Sequence, residues 1–518
     1  MALLRAAATV GGYTMVSRVL GFARDLAFAA LLGAGPVADA FLVAFRLPNL
    51  FRRLFAEGAF AAAFVPMFSA RLQQEGRKAA LAFGEEVLAV LFAALLVFTA
   101  LAEAFMPVLV VVLAPGFLDQ PERFGPAVLF SRLTFPYLMC MALLAFFAGI
   151  LNSVYRFAIP SAAPILLNVV LIVALAIAAF WTGTPGLALA IGVCLAGFGQ
   201  LALILWDMRR AGLRIRLRRP RLTRSVRRLL RQLVPGALSA GALQINLLVG
   251  TMIASLLPTG AVAWLHYADR IYQLPLGVVG IALGTALLPR LSRRLEAGDG
   301  RGASDEMNRA IEIAMLLALP AAAALIVMPE VVAGVLFERG AFTAVDTAAT
   351  AAAITAFAAG LPAFVLLRVL QPGFFAHGDM RTPFRLTVAA VALNTGLSLL
   401  LYREFGHVGI ATATSAAAWA HAGLLWVMLC RCGHCEPNRR LLFRLPRAVG
   451  AALVMAAALF GGLEGLGSWL DGGEGARIGA LAALCAGGFV AFTLAALGLG
   501  AIGLADLRRL SRKPVPDN

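Results

Sequence analysis

The sequence predicts an all-α integral membrane protein with about fourteen transmembrane helices, in two pseudo-symmetric lobes plus two C-terminal helices. The first observation is composition: the 518-residue chain is 61% hydrophobic and 14% charged, with a mean hydropathy of +0.87. Soluble domains are about half apolar and about a quarter charged. The second observation is that long apolar runs recur along the whole chain. A water-soluble globule could not bury this much apolar surface, so that class is excluded.

The apolar segments are long enough to be helical spans. Runs such as Val87–Leu113 and Pro164–Trp181 meet or approach the roughly 20 residues that cross a bilayer. They are too long and too uniformly apolar for barrel strands. The N-terminus has no compact signal peptide with a cleavage site, so we expect the first segment to be retained. The predicted spans are approximately residues 6–33, 36–69, 83–113, 126–151, 159–182, 185–208, 233–257, 260–289, 310–336, 343–376, 383–402, 407–430, 446–469 and 478–504.

The arginines set the predicted topology. Every loop that follows an even-numbered span is basic, whereas the other loops hold few charges and lean acidic. By the positive-inside rule, the basic loops and both termini are expected in the cytoplasm. The sixth-to-seventh loop carries eleven arginines between Arg209 and Arg231, and we expect it to lie on anionic lipid, with substrate recruitment as the alternative. Topology and lipid contact thus explain the net charge of +17 without nucleic acid as a partner.

The cysteines predict neither disulfides nor a metal centre. Four of the six lie in or at the ends of apolar segments, and no outward-facing loop holds a pair. The exception is the motif CRCGHC at Cys430–Cys435, whose spacing matches no common closed zinc site. We predict a reduced turn at the membrane edge there, and metal binding is the alternative.

A short internal repeat predicts two related halves. The segment Ala44–Leu72 resembles Ala268–Leu295, with Arg46 opposite Arg270, and both end in a Pro–X–X–Ser exit toward a basic loop. Such halves imply a parallel repeat about an axis along the membrane normal, as in many transporters. Because the match is short, chance similarity is the alternative. The predicted parts are an N-lobe at 1–215, a C-lobe at 216–440, and the last two spans with a cytoplasmic tail at 441–518.

Arginines also occur within the spans. An arginine at mid-bilayer costs about 2.5–3.5 kcal/mol or more, so each is expected to face protein or water and to mark a substrate path. Most of them lie in the first, second and eighth segments. They are Arg18, Arg24, Arg46, Arg52, Arg53, Arg132, Arg270 and Arg368.

Helical geometry places these arginines on polar faces. In the first segment Arg18 and Asp25 are seven residues apart and share a face. The second segment contains Pro48 and Gly58, so we expect a broken helix. A broken helix with a polar stripe is typical of a cavity wall. The stripe of the second segment consists of Asp39, Arg46, Asn49, Arg53 and Glu57.

Surplus positive charge predicts an anionic ligand for this cavity. Few carboxylates accompany the arginines, and the planar guanidinium suits phosphate through two parallel hydrogen bonds. The alternative is that each arginine neutralises one carboxylate and only locks helices together.

Several stretches resemble the MurJ/MviN family of bacterial lipid II flippases. They include SRVLGFARD, HYADRIYQLPLGVVGIALGTALLPRLS and QPGFFAHGDMRTP, and the resemblance covers nearly the whole chain in order. It implies fourteen helices in two lobes and a central cationic cavity that opens alternately to each side. It also implies a transporter, not an enzyme, that moves lipid II, the undecaprenyl-diphosphate-linked peptidoglycan precursor, from the cytoplasmic to the periplasmic leaflet of the bacterial inner membrane.

The resemblance also implies roles for particular residues. The last two spans would form a groove for the polyprenyl tail. The diphosphate would bind Arg18, Arg24, Arg52 and Arg270. The cavity or its gate would include Asp25, Asp39, Asn49 and Glu57, to which the polar stripe adds Arg53.

Coupling is predicted to depend on the membrane potential. Some relatives in the family bind sodium through a carboxylate, but the eleventh span offers Asn394, Thr395 and Ser398 and no acid. A hard cation would bind weakly there, whereas an inside-negative potential favours exit of an anion. We therefore expect no metal and no cofactor.

Other functions and partners remain open at this stage. The resemblance also places the chain in the larger superfamily of multidrug, oligosaccharidyl-lipid and polysaccharide exporters. The alternatives are therefore export of another polyprenyl-diphosphate-linked saccharide, or of small molecules. A membrane enzyme acting on lipid phosphates would need paired carboxylates, and the spans contain no such motif. Membrane lipids are expected partners, and cell-wall synthesis proteins are candidates.

Overall fold

The computed structural model describes residues 2–56 and 59–503, with the side chains of 9–50, 60, 62–181, 183–233, 244, 246–277 and 287–503. Every regular element in these ranges is helical, which confirms the all-α class. The first ten helices are α1 (Ala2–Leu32), α2 (Pro36–Ala56), α3 (Ala59–Gln74), α4 (Gly76–Ala104), α5 (Met106–Leu113), α6 (Pro121–Thr134), α7 (Pro136–Ser153), α8 (Ala158–Ile177), α9 (Pro185–Arg210) and α10 (Arg224–Ser255). The others are α11 (Ala261–Glu296), α12 (Gly300–Val327), α13 (Pro329–Phe337), α14 (Ala344–Ala376), α15 (Arg381–Arg431), α16 (Arg439–Gly465), α17 (Gly467–Leu470) and α18 (Glu474–Gly498).

Each predicted span coincides with one helix or with two consecutive helices. The pairs are α2 with α3, α4 with α5, α6 with α7, α12 with α13, and α16 with α17, while the eleventh and twelfth spans share the single helix α15. Pro136 and Pro329 are the first residues of their helices, where the missing N–H of proline has no intrahelical partner to lose. In α15 the backbone leaves the helical region at Gly406 (φ 56°, ψ −135°), between the predicted eleventh and twelfth spans.

Hydropathy separates the spans into two groups. Within the described residues, nine helical segments are long and apolar enough to cross a membrane, and the break at Gly406 divides one of them between two predicted spans. The first, second, seventh and eighth predicted spans are helical but are not among the nine. Three of those four hold most of the arginines within spans. The polar residues are therefore concentrated in a few helices.

The helices form two compact units. One runs to Ala263 and includes Arg339–Thr343, and the other holds Trp264–Glu338 and continues from Ala344. The lobe boundaries predicted at residues 215 and 440 stay a prediction.

In the first unit, α1 packs against α8, α2 against α6 and α7, and α8 against α9. An aromatic cluster fixes α3 against α4 and α7. The rings of Phe64 and Phe146 lie 5.0 Å apart, and both side chains are completely buried. Phe60, Phe68 and Phe83 complete the cluster around Phe64.

In the second unit, α14 packs against α12 and α15, and α16 packs against α12 and α18. A charged contact joins α16 to α12: the buried carboxylate of Glu312 accepts from Arg440 Nε at 3.0 Å and also from Arg444. The start of α16 is thus held by charge-assisted hydrogen bonds, which are stronger than neutral ones.

Two glycines allow the segment Arg339–Thr343 to dock on the end of α1. The Ala341 N–H donates to the Ala30 carbonyl at 2.8 Å. Gly33 and Gly340 have φ of +57° and +62°, and a Cβ on either would collide with a backbone oxygen across this contact. Only glycine satisfies both the conformation and the spacing.

The basic sixth-to-seventh loop is docked on α4. The buried Glu85 carboxylate accepts the Arg216 backbone N–H at 3.0 Å and pairs with Arg218 Nε at 2.6 Å. The next residue, Glu86, accepts the hydroxyl of Thr223 at 2.8 Å, at the start of α10. This part of the chain therefore has a defined conformation, from which the arginine side chains project.

Substituting Glu85→Ala should release this loop. The lost hydrogen bond to a charged acceptor is worth about 1.5–3 kcal/mol, whereas the exposed Arg218 partner adds little. Trypsin should cleave after Arg216 and Arg218 about ten times faster in membranes that hold the variant. Glu75→Ala, which removes an exposed carboxylate that makes no capping hydrogen bond at the start of α4, is the matched control. Equal cleavage rates in the two variants would contradict the docking role.

Candidate functional site

Arg24 lies in the first unit on α1, beside the acid that follows it in the chain. Its Nε and Nη2 both donate to Asp25 Oδ1, at 3.0 and 2.6 Å. Its Nη1 donates to Asn168 Oδ1 on α8 at 3.0 Å. The Arg24 side chain is 14% exposed and that of Asp25 is 6% exposed. The guanidinium is therefore nearly buried and held from two directions.

Asn168 continues this network to the preceding turns of α1. Its Nδ2 donates to the Ser17 carbonyl at 2.9 Å and to the Ser17 hydroxyl at 3.3 Å. Sequence reasoning missed Asn168. The available signal was a single amide within the apolar run PILLNVVLIVALAIAAFW.

The other predicted residues of the first unit differ in how far they are described. Arg18 is exposed on α1, and Asn49 is half-buried on α2. For Arg52 and Arg53 only the backbone is among the described parts of the chain, and Glu57 lies outside the described residues. Their assignment to the cavity or to the diphosphate stays a prediction.

Asp39 is completely buried and fixed by three donors from two segments of the chain. Its carboxylate accepts the backbone N–H groups of Gly260 at 2.9 Å and Ala263 at 3.0 Å, and it pairs with Arg123 Nη1 at 3.2 Å. The two N–H groups belong to the first turn of α11 and the residue before it, where a carboxylate is favoured by orphan donors and by the helix dipole.

Arg123 and Asp39 form a buried ion pair that we call the brace. Arg123 lies just before the predicted fourth span, so it is not among the arginines expected within spans. It is the largest fully buried side chain in the described part of the chain. Its Nη2 donates to the Leu257 carbonyl at 2.9 Å, and its guanidinium lies 4.5 Å from the ring centre of Phe117. The Asp39–Arg123 pair thus joins α2, α6 and the turn before α11. Whether Asp39 also serves the cavity or gate stays a prediction.

Arg46 of the polar stripe likewise contacts a neighbouring helix. Its Nη1 donates to the Thr251 hydroxyl of α10 at 2.6 Å. The stripe predicted on one face of α2 therefore includes residues that join helices.

In the second unit, Arg270 is half-buried on α11 within a polar stretch. The preceding Asp269 accepts a hydrogen bond from Gln273. The ring of Tyr272 lies 4.9 Å from that of Phe357 and 5.4 Å from that of Phe364 on α14. These aromatic contacts hold the part of α11 that carries Arg270 against α14.

The CRCGHC motif forms the turn after α15. Cys432 is exposed and Cys435 is buried, and burial raises the pKa of the Cys435 thiol to about 11. The His434 ring stacks on His377 with 3.7 Å between ring centres. The motif therefore packs against the end of α14.

Comparison with known families decides the affiliation. The family model described as "Lipid II flippase MurJ" matches residues 28–472, most of the chain. The chain belongs to the MurJ family.

Relatives in the MurJ family match over nearly the full length. The chain is 46% identical over 516 residues to the probable lipid II flippase MurJ of Rhizobium meliloti (strain 1021), covering 98% of this chain and 96% of that protein. It is 47% identical over 467 residues to the probable lipid II flippase MurJ of Rhizobium tropici, covering 89% and 86%.

A solved structure of lipid II flippase MurJ, in an inward closed conformation, has the same fold. The TM-score is 0.79 at 22% identity, over 96% of this chain and 99% of that one. Together with the apolar helices, membership of the MurJ family identifies the chain as a multi-pass membrane protein. The fold class and the family resemblance predicted from the sequence are both confirmed.

The buried brace predicts a large loss of stability when one partner is removed. Arg123→Ala leaves the Asp39 charge buried without its partner, which costs about 3–5 kcal/mol. Asp39→Asn keeps an acceptor oxygen for only one of the two N–H groups, places an NH2 against the other, and leaves the buried Arg123 charge without its partner, so it should cost a similar amount. The measurement is thermal unfolding of the purified variants together with their membrane level.

Arg477→Ala is the control, because its ion pair with Glu338 is about 30% exposed on both sides and should contribute at most about 1 kcal/mol. If Arg123→Ala and Arg477→Ala lowered the unfolding temperature equally, the brace would have no special role.

Proposed function

We propose that this chain is a lipid II flippase, a transporter and not an enzyme, which moves the lipid-linked peptidoglycan precursor across the membrane. The observation that carries the proposal is the MurJ family match over residues 28–472, supported by relatives of that name at 46% and 47% identity. The arginines within otherwise apolar helices fit this function, because the precursor carries a diphosphate.

We infer that Arg18, Arg24, Arg52 and Arg270 bind the diphosphate. Arginine presents five N–H donors in a fixed plane. Among the described contacts, Arg24 uses one N–H each on Nε, Nη1 and Nη2, so one N–H on each terminal nitrogen remains for a ligand. Two donors at this spacing match the geometry of two phosphate oxygens. Arg24 could thus bind the substrate without losing its partners.

The cavity and its gate are proposed to include Asp25, Asp39, Asn49, Arg53 and Glu57. Asp25 supports this through its contact with Arg24, because it orients the guanidinium while offsetting part of its charge. The surplus positive charge of the cavity would then come from Arg18, Arg52 and Arg270. Transport would proceed by alternating access through this cationic cavity.

The polyprenyl tail is proposed to lie against α16 and α18. Both helices expose large apolar side chains in the described chain, among them Leu453, Phe460, Phe489 and Leu494. Between Arg477 and Gly498, α18 carries no ionisable carboxylate or cation and is rich in small residues. Such a surface lets an isoprenoid chain pack closely.

We place the protein in the bacterial inner membrane with both termini in the cytoplasm. The support is the arginine-rich loops, which include the docked loop on α4. Membrane lipids would contact that loop directly, and cell-wall synthesis proteins are proposed as further partners because they consume the flipped precursor.

The membrane potential is proposed to set the net direction of lipid II transport. Asn394 and Ser398 are buried on α15, and residues 383–402 contain no carboxylate that would bind sodium strongly. Movement of one charge through 100 mV is worth about 2.3 kcal/mol. A diphosphate anion would therefore be favoured on the outer side.

The function is tested by complementation of cells depleted of their own lipid II flippase. Lipid II should reach the outer leaflet when this chain is expressed, and translocation should fall when the potential is collapsed but not when sodium is removed. The second candidate, export of another undecaprenyl-diphosphate-linked saccharide, would be favoured if that lipid moved and lipid II did not.

The arginines are tested by binding to purified, folded variants. Each Arg→Ala change at the four positions should weaken lipid II binding by about 1.5–3 kcal/mol, the worth of a hydrogen bond to a charged group. Arg→Lys keeps the charge but loses the planar fork, so binding should be intermediate. Arg309→Ala, which removes an arginine outside the proposed site, is the control. Wild-type affinity in all four Arg→Ala variants would refute the assignment.

A further inference from the structure

The contact between α8 and α1 has a geometry that packing alone does not require. Asn168 is 6% exposed within an apolar helix, and its side-chain oxygen and nitrogen are both used. The oxygen accepts from Arg24 Nη1 at 3.0 Å, and the nitrogen donates to the Ser17 carbonyl at 2.9 Å. Burying an amide in such a helix is costly unless both of its ends find partners.

The two partners lie on one face of α1. Ser17 and Arg24 are seven residues apart, which is close to two helical turns. Gly21 lies between them, and a Cβ built on it would be 3.6 Å from Asn168 Nδ2. That separation would be an ordinary van der Waals contact, so the amide lies directly against α1 at Gly21 and bridges these turns.

The bridge orients the Arg24 guanidinium. Asp25 holds the edge formed by Nε and Nη2, and Asn168 holds Nη1. A free arginine side chain loses much rotamer freedom on binding a ligand, and this loss is reduced when the side chain is already held. Because Asn168 is neutral, it orients the guanidinium without removing positive charge. An aspartate at that position would offset this charge further.

We propose that Asn168 is a positioning residue for substrate binding, which acts by presenting Arg24 to the diphosphate of the lipid substrate. The inference rests on the proposed function and extends it to a residue that contacts Arg24 and not the substrate. Ser17 is the anchor that fixes the orientation of the amide.

The test measures lipid II affinity with the purified full-length chain in nanodiscs. Asn168→Ala should weaken binding about tenfold, because Arg24 loses one of its two supports. Asn168→Asp should weaken it at least as much, since the new carboxylate neutralises Arg24 beside an anionic ligand. Thermal unfolding is recorded for each variant.

A double-mutant cycle separates positioning from a general packing role. If Asn168 acts through Arg24, adding Asn168→Ala to Arg24→Ala should cause no further loss of affinity. Additive losses would overturn the proposal, as would wild-type affinity in Asn168→Ala.

The matched control is Gln200→Ala. Gln200 is also a buried amide, and its Nε2 donates to the Ala163 carbonyl of the same helix α8 at 2.6 Å, but its bond is not to an arginine. Gln200→Ala should lower the unfolding temperature and leave lipid II affinity unchanged. An equal loss of affinity in Gln200→Ala and Asn168→Ala would assign the effect to α8 packing and overturn the proposal.

Two other outcomes are equally decisive. If both Asn168 variants fail to fold while Gln200→Ala folds, Asn168 serves the fold and the proposal is wrong. If the unmodified chain binds no lipid II while remaining folded, the proposed function itself fails. These results are distinguishable, because the first leaves wild-type binding intact.

Discussion

The structure depends on one constraint: a charged group inside an apolar helical protein must find its partners among other parts of the chain or face water. Asp39 and Arg123 satisfy this constraint completely, since both are fully buried and bonded to each other and to backbone groups. Arg24 satisfies it with fewer bonds, because one carboxylate and one amide take only part of its donors. The Asp39–Arg123 pair is a brace, whereas Arg24 keeps N–H donors with which we propose it binds the substrate.

The partners that a polar residue of α1 or α2 finds separate these residues by structural role. Both helices carry charged residues, and the positions of these residues in the sequence do not show the difference. Asp39 meets the start of α11, where two backbone N–H groups require an acceptor. Arg46 meets a hydroxyl on α10. The polar face of α2 therefore joins different neighbours at two of its turns.

Charged residues near the ends of the helices also find partners, but some of these partners remain partly exposed to water. Glu85 holds the basic loop, and Glu312 holds the start of α16 through Arg440 and Arg444. Arg218 and Arg440 are partly exposed, so water shares their charge and their pairs add little stability by themselves, whereas the pair between Arg444 and Glu312 is mostly buried. Their effect is to give defined conformations to segments that hydropathy alone would describe as linkers.

The sequence by itself determined the helical class, the order of the apolar segments, the boundary between the eleventh and twelfth spans near Gly406, and the concentration of arginines in a few segments. These are local properties, since a span follows from about twenty consecutive side chains and a break follows from proline or glycine. Only the tertiary structure decided the partners. Arg24 and Asn168 are 144 residues apart and Asp39 and Arg123 are 84 apart, and no periodicity within one segment relates such distant positions. A buried polar group acquires its role from the group that satisfies it, and that group is chosen by the packing of helices.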